Sequence, residues 1–596
     1  MRGHFWKGLW TIIGLNLRAS PSGTVVAIAL MIADGLSLPA QAFGLKLLTD
    51  AVVQQQPGRI VPAAILYSLP AVIGALIDVY GHEVRFRMME RTTFLIDQRI
   101  LELVGGVPGI EHHERPDYRD QLELLRTQRE ALARAVNTLV LQLSAVTMLT
   151  GTIVALVTIH PAMALLVVAA LPTVYAGKRA ADRTHTMQEG LAEATRQRDH
   201  LYRLGVDAGP AKELRVFGLG AEIVRRHQIL WRRESRAYGT NQVKIAGTNA
   251  VDWTIFGVGY VAAMLFIGTR AASGTATAGD VLMAIVLAQR VMSSWQLGSL
   301  MGFEGTNLVH TVRRFAWVME YASRAQPRVT DPAAAPDRLV RGIELRDVSF
   351  TYPGTSVEVL SGIDLTLPAG STVALVGENG AGKTTLVKLM CRFYDPTSGA
   401  ISVDGTDLRR IEVDEWRQRL SGGFQDFARL ELLVRESVGV GDLPRIARDA
   451  AVSGALERAA ASDVLTGLPN GLDTQLGRRF DGGVELSGGQ WQKLALGRAM
   501  MRELPLVLVL DEPTAALDAQ TEHDLFERYA DASRRVGALN GAVTILVSHR
   551  FTTVRMADLI VVFDGGRIVE QGSHDELLAG AGMYAELFEL QARSYR

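Results

Sequence analysis

The chain has almost no cysteine: Cys391 is the only one among 596 residues. A single cysteine cannot form an intrachain disulfide or a cysteine-rich zinc site, which excludes a disulfide-stabilised secreted protein. An excess of either charge is also missing, because 62 Lys and Arg balance 63 Asp and Glu for a net charge of −1. A general nucleic-acid binder carries a basic excess, so we expect no nucleic-acid partner. Apolar residues make up 48% of the chain, which excludes intrinsic disorder.

The N-terminal half is poor in charge over six long apolar stretches. A membrane-spanning helix needs about 20 mainly apolar residues, and most of these stretches reach that length. They cover residues 24–48, 61–80, 136–159, 162–177, 246–268 and 280–302. The fourth is the shortest, and we expect it to continue into the polar helix that follows. The pattern predicts an all-α transmembrane domain over residues 1–324 with six spans.

Positive charge is concentrated in two of the connections between these stretches, residues 81–134 and 178–244. The alternate connections are poor in it: residues 49–60 hold only Arg59 and residues 269–279 only Arg270. Because positively charged loops stay in the cytoplasm, we predict a multi-pass protein of the inner (plasma) membrane with both termini inside. Both basic loops have apolar residues at helical spacing, which predicts long cytoplasmic helical extensions. Prolines and glycines interrupt them at residues 107–120 and 208–220.

The pattern changes after a linker rich in Ala, Pro and Asp at residues 325–340. Short apolar runs alternate there with polar helical segments, which predicts an α/β domain over residues 341–596. The runs expected to form buried strands are Val373–Val376, Leu506–Leu510, Thr544–Val547 and Leu559–Phe563.

The first of these runs leads into a glycine-rich loop that fits the pattern G-x-x-x-x-G-K-[ST]. The loop comprises Gly377, Glu378, Asn379, Gly380, Ala381, Gly382, Lys383, Thr384 and Thr385. Glycines let backbone N–H groups surround phosphates, and the N-terminus of the following helix adds positive potential. The loop therefore predicts ATP binding, with Lys383 on the β- and γ-phosphates and Thr384 as a ligand of Mg²⁺.

The run Leu506–Leu510 ends in two adjacent acids, Asp511 and Glu512. A hydrophobic strand that ends in an acid is the usual companion of a phosphate-binding loop. We expect Asp511 to hold Mg²⁺ directly or through water. Glu512 would polarise the attacking water as a general base. The alternative is that both are solvated acids at a strand end.

The segment Glu485-Leu486-Ser487-Gly488-Gly489-Gln490 resembles the signature motif of ATP-binding cassette (ABC) proteins. The whole chain resembles an ABC exporter half-transporter with type IV-like architecture, similar to bacterial peptide and drug exporters. The resemblance implies further site residues: Tyr352 stacking on adenine, Gln425 linking the Mg²⁺ site to the membrane domain, Asp518 in the D-loop and His549 as the switch histidine.

The resemblance also implies a dimer. In this family Ser487, Gly488, Gly489 and Gln490 act in trans, on the ATP held by the other cassette. Glu512, His549 and the signature are all intact, which favours a homodimer with two competent sites over a heterodimer.

Several polar residues lie within the predicted spans: Asp34, Asp252, Arg290 and Gln296. Ionisable groups inside a membrane face a cavity or a partner. These residues are therefore candidates for a substrate cavity, and equally for a charge pair within the bundle. The resemblance implies an ATP-driven exporter of an amphipathic peptide natural product or drug that works by alternating access, with membrane lipid around it. A lipid or glycolipid flippase is the alternative, and a siderophore importer on the same fold a weaker one.

Overall fold

The computed structural model describes residues 2–127, 129–326, 329, 331–512, 533–548 and 550–594. The chain divides into two compact units. The first comprises Met1–Gly106 and Asp120–Ala322, and the second comprises Val107–Arg119 and Ser323–Arg596. The short segment Val107–Arg119 thus belongs to the C-terminal unit, although the chain on both sides of it belongs to the first.

The described part of the first unit is built from helices. In chain order, with the segment that joins the second unit, the helices are α1 (Arg2–Ala19), α2 (Pro21–Val53), α3 (Pro57–Gly105), α4 (Glu111–Glu114), α5 (Pro116–Thr127), α6 (Arg129–Ile159), α7 (Leu165–Ala169), α8 (Leu171–Val206), α9 (Ala211–Val216), α10 (Gly220–Ala272) and α11 (Ala278–Ala325). Both α2 and α3 begin at a proline, which suits the first helical position because its N–H would have no partner there.

Four helices in the described residues are long and apolar enough to cross a membrane, judged by length and composition. They are Pro21–Val53, Pro57–Gly105, Glu130–Ile159 and Gly220–Ala272. Each contains one of the six predicted apolar stretches, at residues 24–48, 61–80, 136–159 and 246–268. The assignment of six spans and their boundaries stays a prediction.

The fourth predicted stretch, residues 162–177, is not one continuous helix. His160 caps a 3₁₀ turn over Pro161–Ala164, where its Nδ1 accepts a hydrogen bond from the N–H of Ala162 at 3.1 Å. Helix α7 then ends at Ala169, and α8 begins at Leu171 with a proline in its first turn. Proline has no N–H to donate to the preceding turn, which explains the break.

Glycines bring α2 close to two of its neighbours. A Cβ added at Gly35 would lie 2.7 Å from the Ser144 carbonyl oxygen on α6. A Cβ added at Gly44 would lie 2.5 Å from the Tyr67 nitrogen on α3. Small residues allow helix backbones to approach in this way. The approach at Gly35 also places the neighbouring Asp34 beside α6.

The described part of the second unit contains two sheets. Their strands are β1 (Gly342–Thr351), β2 (Glu358–Pro368), β3 (Thr372–Gly377), β4 (Ser398–Val403), β5 (Thr406–Asp407), β6 (Leu420–Gly423), β7 (Val507–Asp511), β8 (Val543–Val547), β9 (Leu559–Asp564) and β10 (Arg567–Gly572). One sheet has the order β2-β1-β4-β5 and pairs antiparallel. The other has the order β10-β9-β3-β8-β7-β6, parallel except for β10. The four runs predicted as strands form β3, β7, β8 and β9, so that prediction is confirmed.

Helices of the described residues also contribute to the second unit. They are α12 (Lys383–Met390), α13 (Val413–Gln418), α14 (Val434–Gly439), α15 (Asp449–Arg458), α16 (Ser462–Thr466), α17 (Gly488–Ala499), α18 (Phe551–Val554), α19 (His574–Ala579) and α20 (Met583–Ser594). The parallel strands are buried on both faces, which is why β7 and β8 read as continuous apolar runs. Their carboxyl ends meet at one edge of the sheet, where the predicted site residues lie.

Candidate active site

The glycine-rich loop joins β3 to α12 at the carboxyl edge of the parallel sheet. Gly377, Gly380 and Gly382 have φ values of 147°, 87° and 106°, in the left-handed region that favours glycine. A Cβ at Gly377 would lie 2.2 Å from the Phe563 carbonyl oxygen on β9. The glycines are therefore required by the path of the loop itself.

Lys383, the first residue of α12, turns back over this loop. Its Nζ donates hydrogen bonds to the carbonyl oxygens of Gly377 at 2.7 Å and Glu378 at 2.8 Å. Burial lowers the pKa of Lys383, and the nearby carboxylates of Glu512 and Asp511 oppose that effect. The ammonium group is thus held at the mouth of the loop, where phosphate oxygens would be its natural partners.

Tyr352 follows β1 and lies against α12. Its hydroxyl is 3.0 Å from Oγ1 of Thr385. Its ring packs edge-to-face against Phe350 and Tyr394, with ring centroids 4.9 and 5.4 Å away. The half-buried ring is held on several sides and offers a fixed aromatic surface near the loop.

The two acids occupy the carboxyl end of β7. Asp511 pairs with Val547 of β8 and is buried, whereas Glu512 is the first residue beyond the strand. Glu512 has φ 45°, and its N–H donates to the Val547 carbonyl oxygen at 2.9 Å. Gln425, just past β6, donates from Nε2 to Oε2 of Glu512 at 2.8 Å. The sheet order β3-β8-β7-β6 therefore brings the lysine, both acids and the glutamine to one edge.

Crowding of these acids changes their chemistry. Burial, together with the negative charge of the adjacent Glu512, raises the pKa of Asp511 to about 6. The rise means that the carboxylate form of Asp511 lacks enough positive charge around it, even with Lys383 nearby. A cation placed beside Asp511 would restore that balance.

The donor set fits Mg²⁺ held jointly by the protein and a phosphate. In the described residues, no group of three or more His, Cys, Asp or Glu is placed to hold a metal by itself. Mg²⁺ usually takes only one or two protein carboxylates and fills its shell with phosphate and water oxygens. The carboxylate of Asp511, the exposed hydroxyl of Thr384 and the amide oxygen of Gln425 are oxygen donors of the required type.

The signature segment caps helix α17. Oγ of Ser487 accepts from the N–H of Gln490 at 3.3 Å, and Oε1 of Gln490 accepts from the N–H of Ser487 at 2.9 Å. This capping box fixes the start of the helix. Ser487 and Gly488 are exposed, and a Cβ at Gly488 would meet no atom of the described residues within 4 Å. The N-terminus of α17 is therefore a rigid, open surface on which another molecule can dock.

Two predicted site residues, Asp518 and His549, lie outside the described residues. The residue before His549 is placed: Ser548 follows β8 and its Oγ accepts from the N–H of Arg550 at 3.0 Å. The chain thus leaves β8 at the same edge of the sheet as Asp511.

The four polar residues of the predicted spans are not brought together by any described hydrogen bond or ion pair. Asp34 accepts from Oγ of Ser144 at 2.9 Å, which makes it part of the α2–α6 packing. Asp252 is buried on α10, and its Oδ2 has no hydrogen-bond partner among the described residues. Arg290 is half-buried on α11 and interacts with another residue. The side chain of Gln296 lies outside the described residues.

Sequence reasoning missed three residues near Tyr352: Lys388 and Tyr394, which contact its ring, and Glu114, which binds both of them. Lys388 lies five residues after Lys383 on α12, so its spacing places it on the same helix as the loop lysine. Glu114 lies more than 230 residues earlier than Tyr352, and no local pattern could pair the two. The only available signal was the break in helical pattern at residues 107–120.

Part of the chain matches a known protein family. Residues 360–515 match the family model described as ABC transporter. The chain is 40% identical over 268 residues to an ATP-dependent lipid A-core flippase of Aromatoleum aromaticum, which covers 45% of this chain and 43% of that protein. It is 35% identical over 325 residues to a lipid A-core flippase of Methylococcus capsulatus, covering 52% of each. It is 38% identical over 334 residues to the human mitochondrial potassium channel ATP-binding subunit, covering 55% of this chain and 43% of that protein.

The chain spans about half the length of the curated relatives that it matches. Among solved structures, a bacterial Atm1-family ABC exporter with ATP bound is similar over nearly the whole length. The TM-score is 0.76 and the identity 25%, over 97% of this chain and 98% of that one.

Proposed function

Because the chain carries an ABC transporter domain fused to a region of long apolar helices, in the fold of an Atm1-type ABC exporter, we propose that it is an ATP-hydrolysis-driven exporter of an amphipathic substrate. The predicted fold class is thereby confirmed. The substrate, the dimer and the direction of transport are part of the proposal.

The observation that carries the proposal is the cluster at the edge of the parallel sheet. It combines a phosphate-binding loop, a buried acid in Asp511 and the pair of Glu512 with Gln425, whose side chains are 2.8 Å apart. A soluble binding module needs the loop but has no use for a second acid held by an amide. A hydrolase needs both, because one acid holds the metal and the other takes a proton from water.

The residues have the following roles in the proposed reaction. Lys383 and the loop N–H groups bind the phosphates, and Tyr352 stacks on the adenine base. Thr384, Gln425 and Asp511 would hold Mg²⁺, which supplies charge stabilisation at the phosphates when bound. Glu512, oriented by Gln425, accepts the proton of the attacking water. His549 and Asp518 retain the roles that the family resemblance implies, beside the γ-phosphate and in the D-loop.

The second copy completes the site in this proposal. The exposed N-terminus of α17 presents Ser487 and Gly488 away from its own helix, so a partner cassette can reach them. Helix N-termini favour negatively charged groups such as a γ-phosphate. We therefore assign the partner as a second copy of this chain, with a heterodimer as the alternative.

The turn between α9 and α10 is a second exposed surface in this proposal. The turn between α9 and α10 carries the exposed apolar side chains Val216 and Phe217, at 79% and 68% exposure. Exposed apolar groups clustered at a tip mark an interaction surface. In an alternating-access cycle, this tip near Leu214 and the segment near Pro116 would transmit movement between the cassettes and the spans in the inner membrane.

The substrate class is assigned from the helices. Asp252 is a buried carboxylate in a predicted span, which favours a substrate with a polar or cationic group beside an apolar body. This fits an amphipathic peptide or drug. Asp34, Arg290 and Gln296 are predicted for the same cavity, but no described hydrogen bond or ion pair joins them to Asp252, so Asp252 alone carries this assignment.

A specific observation favours lipid as the second candidate. An apolar groove of about 670 Å³ lies between α2 and α3, lined by residues such as Leu36, Ile65 and Ile73. Its almost wholly apolar lining suits an acyl chain, and two relatives carry the name lipid A-core flippase. A siderophore importer has no comparable observation in its favour.

The test is the ATPase activity of the purified chain in lipid nanodiscs, measured with a panel of peptides, drugs and lipids. We expect activity that Glu512→Gln abolishes while ATP binding is retained, because only the proton acceptor is lost. Stimulation by peptides or dyes supports the first substrate class, and stimulation by lipids alone supports the second. Undiminished turnover in Glu512→Gln would refute the assignment of the base.

A further inference from the structure

The segment Val107–Arg119 is anchored on the cassette that the C-terminal unit forms. Nη2 of Arg417 on α13 donates to the Pro108 carbonyl oxygen at 2.6 Å. The backbone at Gly109 passes close to Phe393. A Cβ added at Gly109 would lie 3.2 Å from the Phe393 carbonyl oxygen. These contacts hold the start of the segment and bring α4 beside the glycine-rich loop's helix, α12.

Glu114, the last residue of α4, uses both carboxylate oxygens on cassette side chains. Oε1 accepts from Nζ of Lys388 at 2.6 Å, and Oε2 accepts from the hydroxyl of Tyr394 at 2.6 Å. The Glu114–Lys388 pair is partly shielded, with 36% and 23% of the two side chains exposed. A charged pair in this setting is screened less by water than a fully exposed one.

The protonation states of both donors suit these contacts. Burial disfavours the charged form of Lys388, but the hydrogen bond to Glu114, together with the electrostatic effects of Tyr352 and Glu114, more than offsets it, so the pKa of Lys388 is raised. Burial, and then the contact with Glu114, raises the pKa of Tyr394 well above its ordinary value. Lys388 therefore stays an ammonium and Tyr394 a phenol, and both donate to Glu114.

The same two donors contact Tyr352. Nζ of Lys388 lies 5.3 Å from the centroid of the Tyr352 ring, within the range of a cation–π interaction. The Tyr394 ring meets the Tyr352 ring edge-to-face at 5.4 Å and 87°. Glu114 thus lies one residue removed from the aromatic surface proposed to bind the base, through two independent side chains.

We infer that Glu114 is a positioning residue for the nucleotide base: by fixing Lys388 and Tyr394 it sets the orientation of the Tyr352 ring. The inference rests on the proposed ATP site. It assigns to the segment Val107–Arg119 control over affinity for the base and none over affinity for the phosphates, which Lys383 and the loop bind. Because coupling free energies are reciprocal, base binding strengthens the anchoring of the segment in turn.

The experiment compares two ligands on the full chain in lipid nanodiscs: Mg·ATP, and Mg·tripolyphosphate, which has the phosphates and no base. In Glu114→Ala, we expect Kd for Mg·ATP to rise about twofold to fivefold, the effect of one lost cation–π contact. Kd for Mg·tripolyphosphate should stay unchanged. Tyr394→Phe keeps the ring and removes only its hydrogen bond to Glu114, so it should shift Kd for Mg·ATP in the same direction by less.

Asp117→Asn is the matched control. Asp117 lies in the same segment, and its described ion pair is with Arg115 of that segment. Asp117→Asn should leave Kd for Mg·ATP and Kd for Mg·tripolyphosphate unchanged. An equal loss of affinity for both ligands in Glu114→Ala, or no loss for Mg·ATP, would overturn the inference. Lys383→Ala separates the two proposals: if it binds both ligands normally, the ATP site itself is wrong, whatever Glu114 does.

Discussion

Glu512 has a strained backbone conformation. Its φ of 45° lies in the left-handed region, which residues with a side chain seldom adopt. The hydrogen bond from its N–H to Val547 holds it there. Such strain is concentrated at functional sites, where it aims a side chain. As a result, the Glu512 carboxylate accepts a hydrogen bond from Gln425, while the preceding residue, Asp511, stays buried.

The raised pKa of Asp511 predicts a pH dependence of metal–nucleotide binding. Asp511 has an ordinary pKa near 4 when unfolded and about 6 in the folded chain. As pH falls through about 6, the folded carboxylate takes up a proton and loses its charge. Affinity for a non-hydrolysable Mg·ATP analogue should therefore fall below pH 6 and be constant above it. Isothermal titration calorimetry across pH 5 to 8 measures this.

Asp511→Asn supplies the control for that profile, because any pH dependence of the nucleotide alone remains in it. Asp511→Asn should bind the Mg·ATP analogue weakly and without the additional fall in affinity near pH 6. The stability of the free chain should change in the opposite direction. The folded state binds the extra proton between about pH 4 and 6, so this group lowers the free energy of unfolding as pH rises through that window. An identical acid limb in Asp511→Asn and the wild type would contradict the assignment.

At the scale of elements, the sequence predicts best where a pattern is local. The loop from Gly377 to Thr385 and the strand before it could be identified because turn glycines, an apolar run and a helix follow one another directly. The break at residues 107–120 could be located for the same reason. Its contacts could not be predicted, since Glu114 and Lys388 are far apart in sequence and their pairing depends on tertiary packing. The division of residues 162–177 was missed because the apolar count over this stretch does not register the proline in the first turn of α8.

The approach of α2 to α6 gives a prediction at this scale. In Gly35→Ala, the new Cβ would lie 2.7 Å from the Ser144 carbonyl oxygen and 2.8 Å from Cβ of Thr147. Alanine favours a helix by up to about 1 kcal/mol over glycine, but such overpacking costs about 1–3 kcal/mol. We expect a lower thermal unfolding temperature in detergent.

Gly257→Ala on α10 is the comparison for this variant, since a Cβ there meets nothing within 4 Å. It should be as stable as the wild type or slightly more so, from helix propensity alone. If Gly35→Ala matched Gly257→Ala in stability, the close packing of α2 on α6 would be wrong, and with it the placement of Asp34 beside Ser144.

At the scale of the whole molecule, the proposed dimer would build each ATP site from two chains. Lys383, Asp511 and Glu512 supply the phosphate-binding and acidic groups of one chain. The exposed N-terminus of α17 would supply backbone N–H groups to the phosphate that the other chain holds. A two-fold dimer would satisfy both halves at once, because the same pair of surfaces meets twice in such an interface. Hydrolysis of ATP would then release the contact and drive the cycle.

The most direct test is a mixing experiment with two inactive variants in lipid nanodiscs. Lys383→Ala disables the phosphate loop, and Gly488→Asp places a negative side chain at the start of α17. In a statistical mixture, half of the dimers carry one intact composite site, so we predict about a quarter of wild-type ATPase activity if the sites act independently. Each variant alone should be inactive. An active wild type whose mixed variants stay at the level of the separate ones would contradict the claim that a second copy of this chain completes the site.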